Sequence, residues 1–192
     1  MLSVVIGLGV PGGAANAQGE PEIAQMELER DADGLFLTAT LQLELPGIVE
    51  DALEKGIPMF FVAEAALLRD RWYWTDKRVA LSERYFRLAY LPLTRRWRVN
   101  VGSEPLSNPG VGVSLSQHYE SMDEAVEAIE RIARWKIADH SQMEPEVRYW
   151  VDFSFRLDLS QLPRPFQIGA VGQGEWNLTA SRTLRLPPER TK

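Results

Sequence analysis

Two long segments of this chain alternate between apolar and polar side chains, and this alternation constrains the fold more than any other feature. Apolar residues occupy every second position from Leu37 to Leu45, and Thr, Gln and Glu stand between them. A similar alternation runs from Val147 to Leu159. Successive side chains of a β-strand point to opposite faces, so the pattern predicts strands with one buried face. Such strands need a second layer to cover that face.

Turn residues and shorter apolar runs extend the β prediction to most of the chain. Asp31-Ala32-Asp33-Gly34 has the residue types of a hairpin turn and follows a strand predicted at 23–30. Met59 to Leu68 is apolar at both parities except at Glu64, which predicts a strand buried on both faces. Further strands are predicted at 78–81, 85–91, 97–101, 111–116 and 176–186.

Two other segments carry helical signals. Ile48 to Lys55 follows Pro46-Gly47 and ends before a glycine, which predicts a short helix. Ser121-Met122-Asp123-Glu124 forms a capping box, and apolar residues follow it at helical spacing as far as Trp135. We therefore predict an amphipathic helix from Ser121 to Ala138 that covers a sheet.

The predicted fold class is mainly β with minor α. We expect an antiparallel β-sandwich or a curled sheet with one amphipathic helix packed on it. The chain has 192 residues and no Cys, so packing must hold the fold together without disulfides. A chain of this length can bury a single core without such staples.

The first 17 residues have the composition of an export signal. An apolar run ends at Pro11-Gly12-Gly13, and Ala15-Asn16-Ala17 places small residues at the spacing that a signal peptidase reads. We predict that residues 1–17 are removed, that 18–192 form one mostly-β domain, and that the mature protein is periplasmic or secreted without spanning a membrane. No Lys or Arg precedes the apolar run, so a floppy apolar terminus on a cytosolic protein is the alternative.

The residue types restrict the chemistry that the chain can perform. His118 and His140 are the two histidines, and no recognised spacing of metal ligands includes either of them. The segment Gly112 to Ser116 lacks the second glycine of a nucleophile elbow. Gly169 to Gly174 leads into a predicted strand, so we interpret it as a hairpin turn and not as a phosphate loop. We predict no catalytic residue, no cofactor and no metal.

The segment from Arg69 to Arg98 is strongly basic. It contains nine basic and three acidic residues, whereas the whole chain has a formal net charge of −6. One interpretation is a solvated sheet face whose cations pair with acidic segments. The other is a surface for an anionic ligand or partner, with Trp as anchor and Arg as anion contact; export would exclude nucleic acid. The candidate binding residues are Arg71, Trp72, Trp74, Arg95, Arg96 and Trp97.

Five segments occur together here that also characterise a known group of proteins: the apolar N-terminus, 41–45, 71–74, 85–88 and 163–166. Together they resemble an uncharacterised family of exported Gram-negative bacterial proteins, a domain of unknown function. The resemblance covers nearly all of the mature chain and brings no catalytic residues with it. Genes of that family often lie near one for a membrane sensor kinase, which implies such a kinase as a candidate partner.

We therefore expect an exported, non-catalytic binding or accessory domain that contacts a membrane sensor or an anionic envelope component. One alternative is a carrier that holds a small apolar or amphiphilic ligand between sheet and helix. Another is a hydrolase that uses a pair of carboxylates, which would have to lie close together in a cleft.

Overall fold

The computed structural model describes residues 21–69, 77–106, 114–145, 147–164 and 174–186. The predicted signal peptide lies outside these residues, as do Arg71, Trp72 and Trp74. The described residues form two α-helices, α1 (Gly47–Glu54) and α2 (Met122–Glu130). They also form nine strands: β1 (Glu22–Asp31), β2 (Gly34–Gln42), β3 (Met59–Arg69), β4 (Lys77–Leu91), β5 (Arg96–Gly102), β6 (Ser114–Tyr119), β7 (Arg131–Asp139), β8 (Tyr149–Leu157) and β9 (Thr179–Arg185).

The strands form two antiparallel sheets. The smaller sheet has the order β1-β2-β7, and the larger has the order β6-β5-β4-β3-β8-β9. No backbone ladder joins the two sheets within the described residues, so they do not close into a barrel. The predicted mainly-β, antiparallel, sandwich-like architecture is confirmed. Among the described residues, no helix is both long and apolar enough to cross a membrane.

One core receives side chains from both sheets and both helices. In the larger sheet, the rings of Phe61 and Phe155 stack with their centroids 5.5 Å apart. The smaller sheet adds the alternating leucines of β2, and α2 adds Ala125 and Ile129, all of them buried. The alternation thus places one face of each sheet in the core. β3 is buried on both faces over its first five residues, as predicted, whereas from Glu64 onward buried and half-buried residues alternate, so the prediction was wrong for that part.

The start of α2 agrees with the predicted cap at Ser121, but the reciprocal half of the predicted capping box is displaced by one residue. Ser121 Oγ accepts a hydrogen bond from the backbone N–H of Glu124 at 3.2 Å, and Glu124 Oε2 accepts one from the backbone N–H of Glu120 at 3.1 Å. The first bond satisfies an amide that the first turn of a helix leaves unpaired, and the second ties the residue before the N-cap to the helix.

The predicted end of this helix at Ala138 is wrong, because α2 ends at Glu130 and residues 131–139 are strand β7. In the ladder with β2, Leu37 is opposite Trp135 and Ala39 is opposite Ile132. Two residues of β2 therefore match three of β7, which defines a β-bulge. The bulge puts Ile132 and Trp135 on one face at a spacing of three, which is also the spacing of a helix.

Arg134 fixes this bulge in place. Arg134 has a φ of 39, in the left-handed region, which a non-glycine residue adopts only when contacts hold it there. Its backbone N–H donates to Thr38 Oγ1 at 3.2 Å, and its guanidinium pairs with Asp31 and lies 4.3 Å from the ring centroid of Phe36. These contacts all come from the β1–β2 hairpin.

Two smaller predictions also need correction. β4 is a single strand, although two strands were predicted at 78–81 and 85–91. β6 runs from Ser114 to Tyr119, past the predicted end at 116, and residues 111–113 lie outside the described residues.

The β1–β2 hairpin closes at a glycine that no other residue can replace without strain. Asp31 Oδ1 accepts hydrogen bonds from the backbone N–H groups of Asp33 and Gly34, at 2.8 and 3.2 Å. Gly34 has a φ of 149, and a Cβ added there would lie 2.2 Å from the carbonyl oxygen of Ala138 in β7. The predicted turn is confirmed, and the close approach of β7 adds a second reason for the glycine.

We expect Gly34→Ala to lower the free energy of unfolding by about 2 kcal/mol or more, because the added methyl group forces β2 and β7 apart. Urea denaturation of the full chain measures this loss. Gly47→Ala is the matched control, since no atom lies within 4 Å of the added Cβ at the start of α1. Equal stability of the two variants would contradict the constraint.

Candidate binding surface

The described part of the basic segment is built on two neighbouring strands, β4 and β5. Their ladder ends with Leu91 opposite Arg96, and residues 92–95 form the turn between them. The backbone N–H of Thr94 donates to the carbonyl of Leu91 at 3.2 Å, which closes this turn. The chain therefore presents the turn at the end of a paired hairpin, as the turn residues predict.

The candidate residues at this turn have different environments. Arg95 is exposed, and Arg96 is exposed with its Nη2 3.8 Å from Glu120 Oε1. Trp97 is 7% exposed, and its ring centroid lies 5.0 Å from that of Tyr90. Because side chains alternate along β5, Trp97 points into the core while its two Arg neighbours point away. The prediction that Trp97 is an exposed anchor is therefore wrong, because its side chain is buried in the core.

The exposed apolar residue of this turn is Leu93, which sequence reasoning did not select. Its side chain is fully accessible, with a relative exposure of 102%. The signal that could have found it is its place between Pro92 and Thr94 in a short turn, where a side chain has no sheet to pack against. Arg95, Arg96 and Leu93 together form what we call the hairpin tip.

Other cations of the basic segment have partners in the fold. Arg69 Nη1 lies 2.7 Å from Glu144 Oε1, and the Arg84 guanidinium lies 5.0 Å from the ring centroid of Trp135. Burial lowers the pKa of Arg84. These residues follow the first interpretation of the basic segment, in which the cations are satisfied within the protein.

Arg87 and Arg98 behave differently. They lie on the outer face of the larger sheet, which is the face turned away from Phe61 and Phe155, and both are half-buried. Neither forms an ion pair with a described residue, and the Nε atom of each is buried without a hydrogen-bond partner. Burial and the charge of Arg98 lower the pKa of Arg87.

The carboxylates of Glu83 and Asp158 on the same face accept hydrogen bonds from groups other than these two arginines. Glu83 Oε2 accepts a hydrogen bond from Tyr85 Oη at 2.9 Å, and burial together with this bond raises the pKa of Tyr85 to about 12. Asp158 Oδ1 accepts bonds from the backbone N–H and the hydroxyl of Ser160, at 3.1 and 2.7 Å. Its Oδ2 accepts a bond from Gln161 Nε2 at 2.6 Å.

The two sheets meet at seams where single side chains replace a backbone ladder. At one seam, Arg182 Nη1 donates to the carbonyl oxygens of Ile23 and Ala24, at 3.0 and 3.4 Å. At the other, Ser82 Oγ donates to the carbonyl of Ile137 at 2.9 Å. An open cleft lies at each seam, lined by residues of the strand edges.

Groups that could support metal or histidine chemistry are dispersed. Within the described ranges, no group of three or more His, Asp or Glu side chains could hold a metal ion. His118 lies opposite Arg98 in the β5–β6 ladder, and His140 follows β7 in a short 3-10 helix. Of the glycine-rich segment 169–174, only Gly174 falls within the described residues.

The fold and the surface define a class of protein: a two-sheet antiparallel β domain with a cationic hairpin. The chain belongs to the family described as a domain of unknown function (DUF4390), whose family model matches residues 18–185. This confirms the resemblance to an uncharacterised family; export stays a prediction. Neither a curated protein nor a solved structure matches the chain significantly.

We expect Trp97→Ala to lower the free energy of unfolding by about 3–5 kcal/mol, because it removes a large buried ring. Arg96→Ala should change it by no more than about 0.5 kcal/mol, since its ion pair with Glu120 is exposed. Denaturant unfolding of both variants measures the difference. If the Trp97→Ala protein were as stable as the Arg96→Ala protein, the assignment of Trp97 to the core would be wrong.

We expect acid to weaken the fold through Asp158. Burial raises the pKa of this carboxyl, but the bonds from Gln161 and Ser160 and the charge of Arg156 outweigh it, so the pKa is lowered. The ionised group therefore stabilises the fold above its unfolded-state pKa of about 3.9, and this stabilisation is lost as the pH falls through the folded-state pKa. Thermal unfolding of Asp158→Asn should depend less on pH below about 4 than that of the unmodified protein.

The control for this measurement is Asp51→Asn, at an exposed position of α1. It should keep the acid dependence of the unmodified protein. If the two variants follow the same curve of melting temperature against pH, Asp158 is not the group responsible.

Proposed function

We propose that the protein is an exported, non-catalytic binding domain that works in the periplasm or outside the cell. In this proposal the hairpin tip contacts a membrane protein or an anionic component of the envelope. The observation that carries it is the full exposure of Leu93 beside the cations Arg95 and Arg96. An exposed apolar side chain next to Arg is a combination that binding surfaces use for anchoring and for orientation.

The base of the hairpin supports this role because it is rigid. Trp97 and Tyr90 are opposite each other in the ladder, and their rings pack directly below the tip. Pro92 restricts the backbone at the start of the turn. A surface that is already ordered loses little conformational entropy when it binds a partner.

The charges of the tip remain available to a partner. Arg95 forms no ion pair with a described residue, and the pair between Arg96 and Glu120 is long and solvent-exposed. Exposed pairs of this kind contribute about 0–1 kcal/mol, so an anionic partner can displace Glu120 at little cost. Contacts of exposed charges also weaken as salt is added.

We expect a photo-crosslinking residue at position 93 to capture one dominant membrane or envelope component in intact cells. Position 115 is the control. Leu115 is also exposed, at 74%, but it lies on β6 and outside the hairpin tip, so the crosslinking residue placed there should not capture the component. Affinity capture and mass spectrometry of the full chain identify the product.

Charge reversal tests the role of the cations in this contact. Arg95→Glu with Arg96→Glu should abolish the crosslink from position 93, and Lys55→Glu, at an exposed position beyond α1, should leave it intact. Equal crosslinking from positions 93 and 115, or a crosslink that survives the reversal, would contradict the proposal. A small molecule retained on the protein in place of a crosslinked partner would favour the carrier alternative.

A further inference from the structure

We propose that Arg87 and Arg98 form a binding site for a phosphate group on the outer face of the larger sheet. The phosphate lies between the two guanidinium groups. This site does not include the hairpin tip, and the proposal does not depend on the contact proposed there.

The ladder between β4 and β5 brings the two side chains together. Arg87 is opposite Asn100, and Arg98 is opposite Ala89, so the two arginines are diagonal neighbours on one face. Long side chains reach each other across such a diagonal. The Arg87 guanidinium also lies 5.9 Å from the ring centroid of Phe60 in β3, which holds it over the sheet.

This arrangement is unfavourable in the protein alone. Two like charges are neighbours, and the Nε atoms of both arginines are buried without an acceptor. Buried donors without partners reduce stability, and so does like-charge repulsion. The nearby Asp158 and Glu83 accept hydrogen bonds from other groups and do not pair with either arginine.

A bound anion would relieve both penalties at once. The Nε–H and one terminal N–H of an arginine form a planar fork that matches two oxygens of a phosphate, so the Nε atoms gain acceptors, and two neighbouring cations favour a doubly charged anion. Asn100 adds a third group, because its Oδ1 is buried and has no donor. A protonated phosphate oxygen or a hydroxyl of a phosphate ester would supply that donor.

Thermal unfolding of the full chain in inorganic phosphate, with chloride at matched ionic strength, tests this site. A ligand that binds only the folded state raises the melting temperature. We expect such a rise in the unmodified protein and its loss in Arg87→Gln and in Arg98→Gln. Arg131→Gln, at an exposed position, should retain it. No rise with phosphate, or a rise that persists in both site variants, would overturn the proposal.

Conservative variants separate binding from folding. Arg87→Lys and Arg98→Lys keep the charge but lose the fork, so we expect apparent phosphate affinity to fall roughly tenfold while the melting temperature without phosphate stays unchanged. Unchanged phosphate affinity in both Lys variants would overturn the arginine site.

The source of the phosphate is determined with two further probes. Glycerol phosphate tests a soluble ester, and phosphatidylcholine vesicles with and without phosphatidic acid test a lipid headgroup. Binding of either probe that depends on Arg87 and Arg98 supports the site and identifies the source, and an arginine-dependent response to inorganic phosphate alone supports a site for free phosphate. The variant with Arg95→Glu and Arg96→Glu should keep the phosphate response even if it loses the crosslink, which distinguishes failure of this site from failure of the hairpin contact.

Discussion

Strand β3 is the element on which the rest of the structure depends. It pairs with β4 on one edge and with β8 on the other over most of its length, and its first five residues are buried on both faces. The stacked rings of Phe61 and Phe155 join it to β8 within the core. Because β4 is aligned by β3, the position of β3 also fixes where the β4–β5 hairpin presents its cations.

The cations of the basic segment fall into two groups, those with partners in the fold and those without. Arg69 pairs with Glu144 and Arg84 packs on Trp135, so their charges are offset within the protein. Arg87 and Arg98 share one face without acidic partners among the described residues, and Arg95 extends from an exposed turn. Cations without acidic partners, or in an exposed turn, do not stabilise the domain. We therefore connect Arg87, Arg98 and Arg95 with binding.

Much of the fold could be predicted from alternation and turn residues, and the failures have specific causes. The hairpin at Gly34, the doubly buried start of β3 and the cap at Ser121 depend on local signals, and all were predicted. The helix prediction failed beyond Glu130 because a bulge at Arg134 gives a strand the apolar spacing of a helix. Trp97 was selected for its residue type, although its parity in β5 turns it into the core.

The sequence by itself determined the strands with one buried face, the start of α2, the positions of the turns and the concentration of positive charge between Arg69 and Arg98. These features depend on neighbouring residues, so local patterns carry them. Only the tertiary structure decided that 131–139 pairs with β2, that Trp97 is buried while Leu93 is exposed, and that no acidic residue in the described part of the chain pairs with Arg87 or Arg98. Each of these depends on which strand lies alongside which, and contacts between residues distant in the chain settle that pairing.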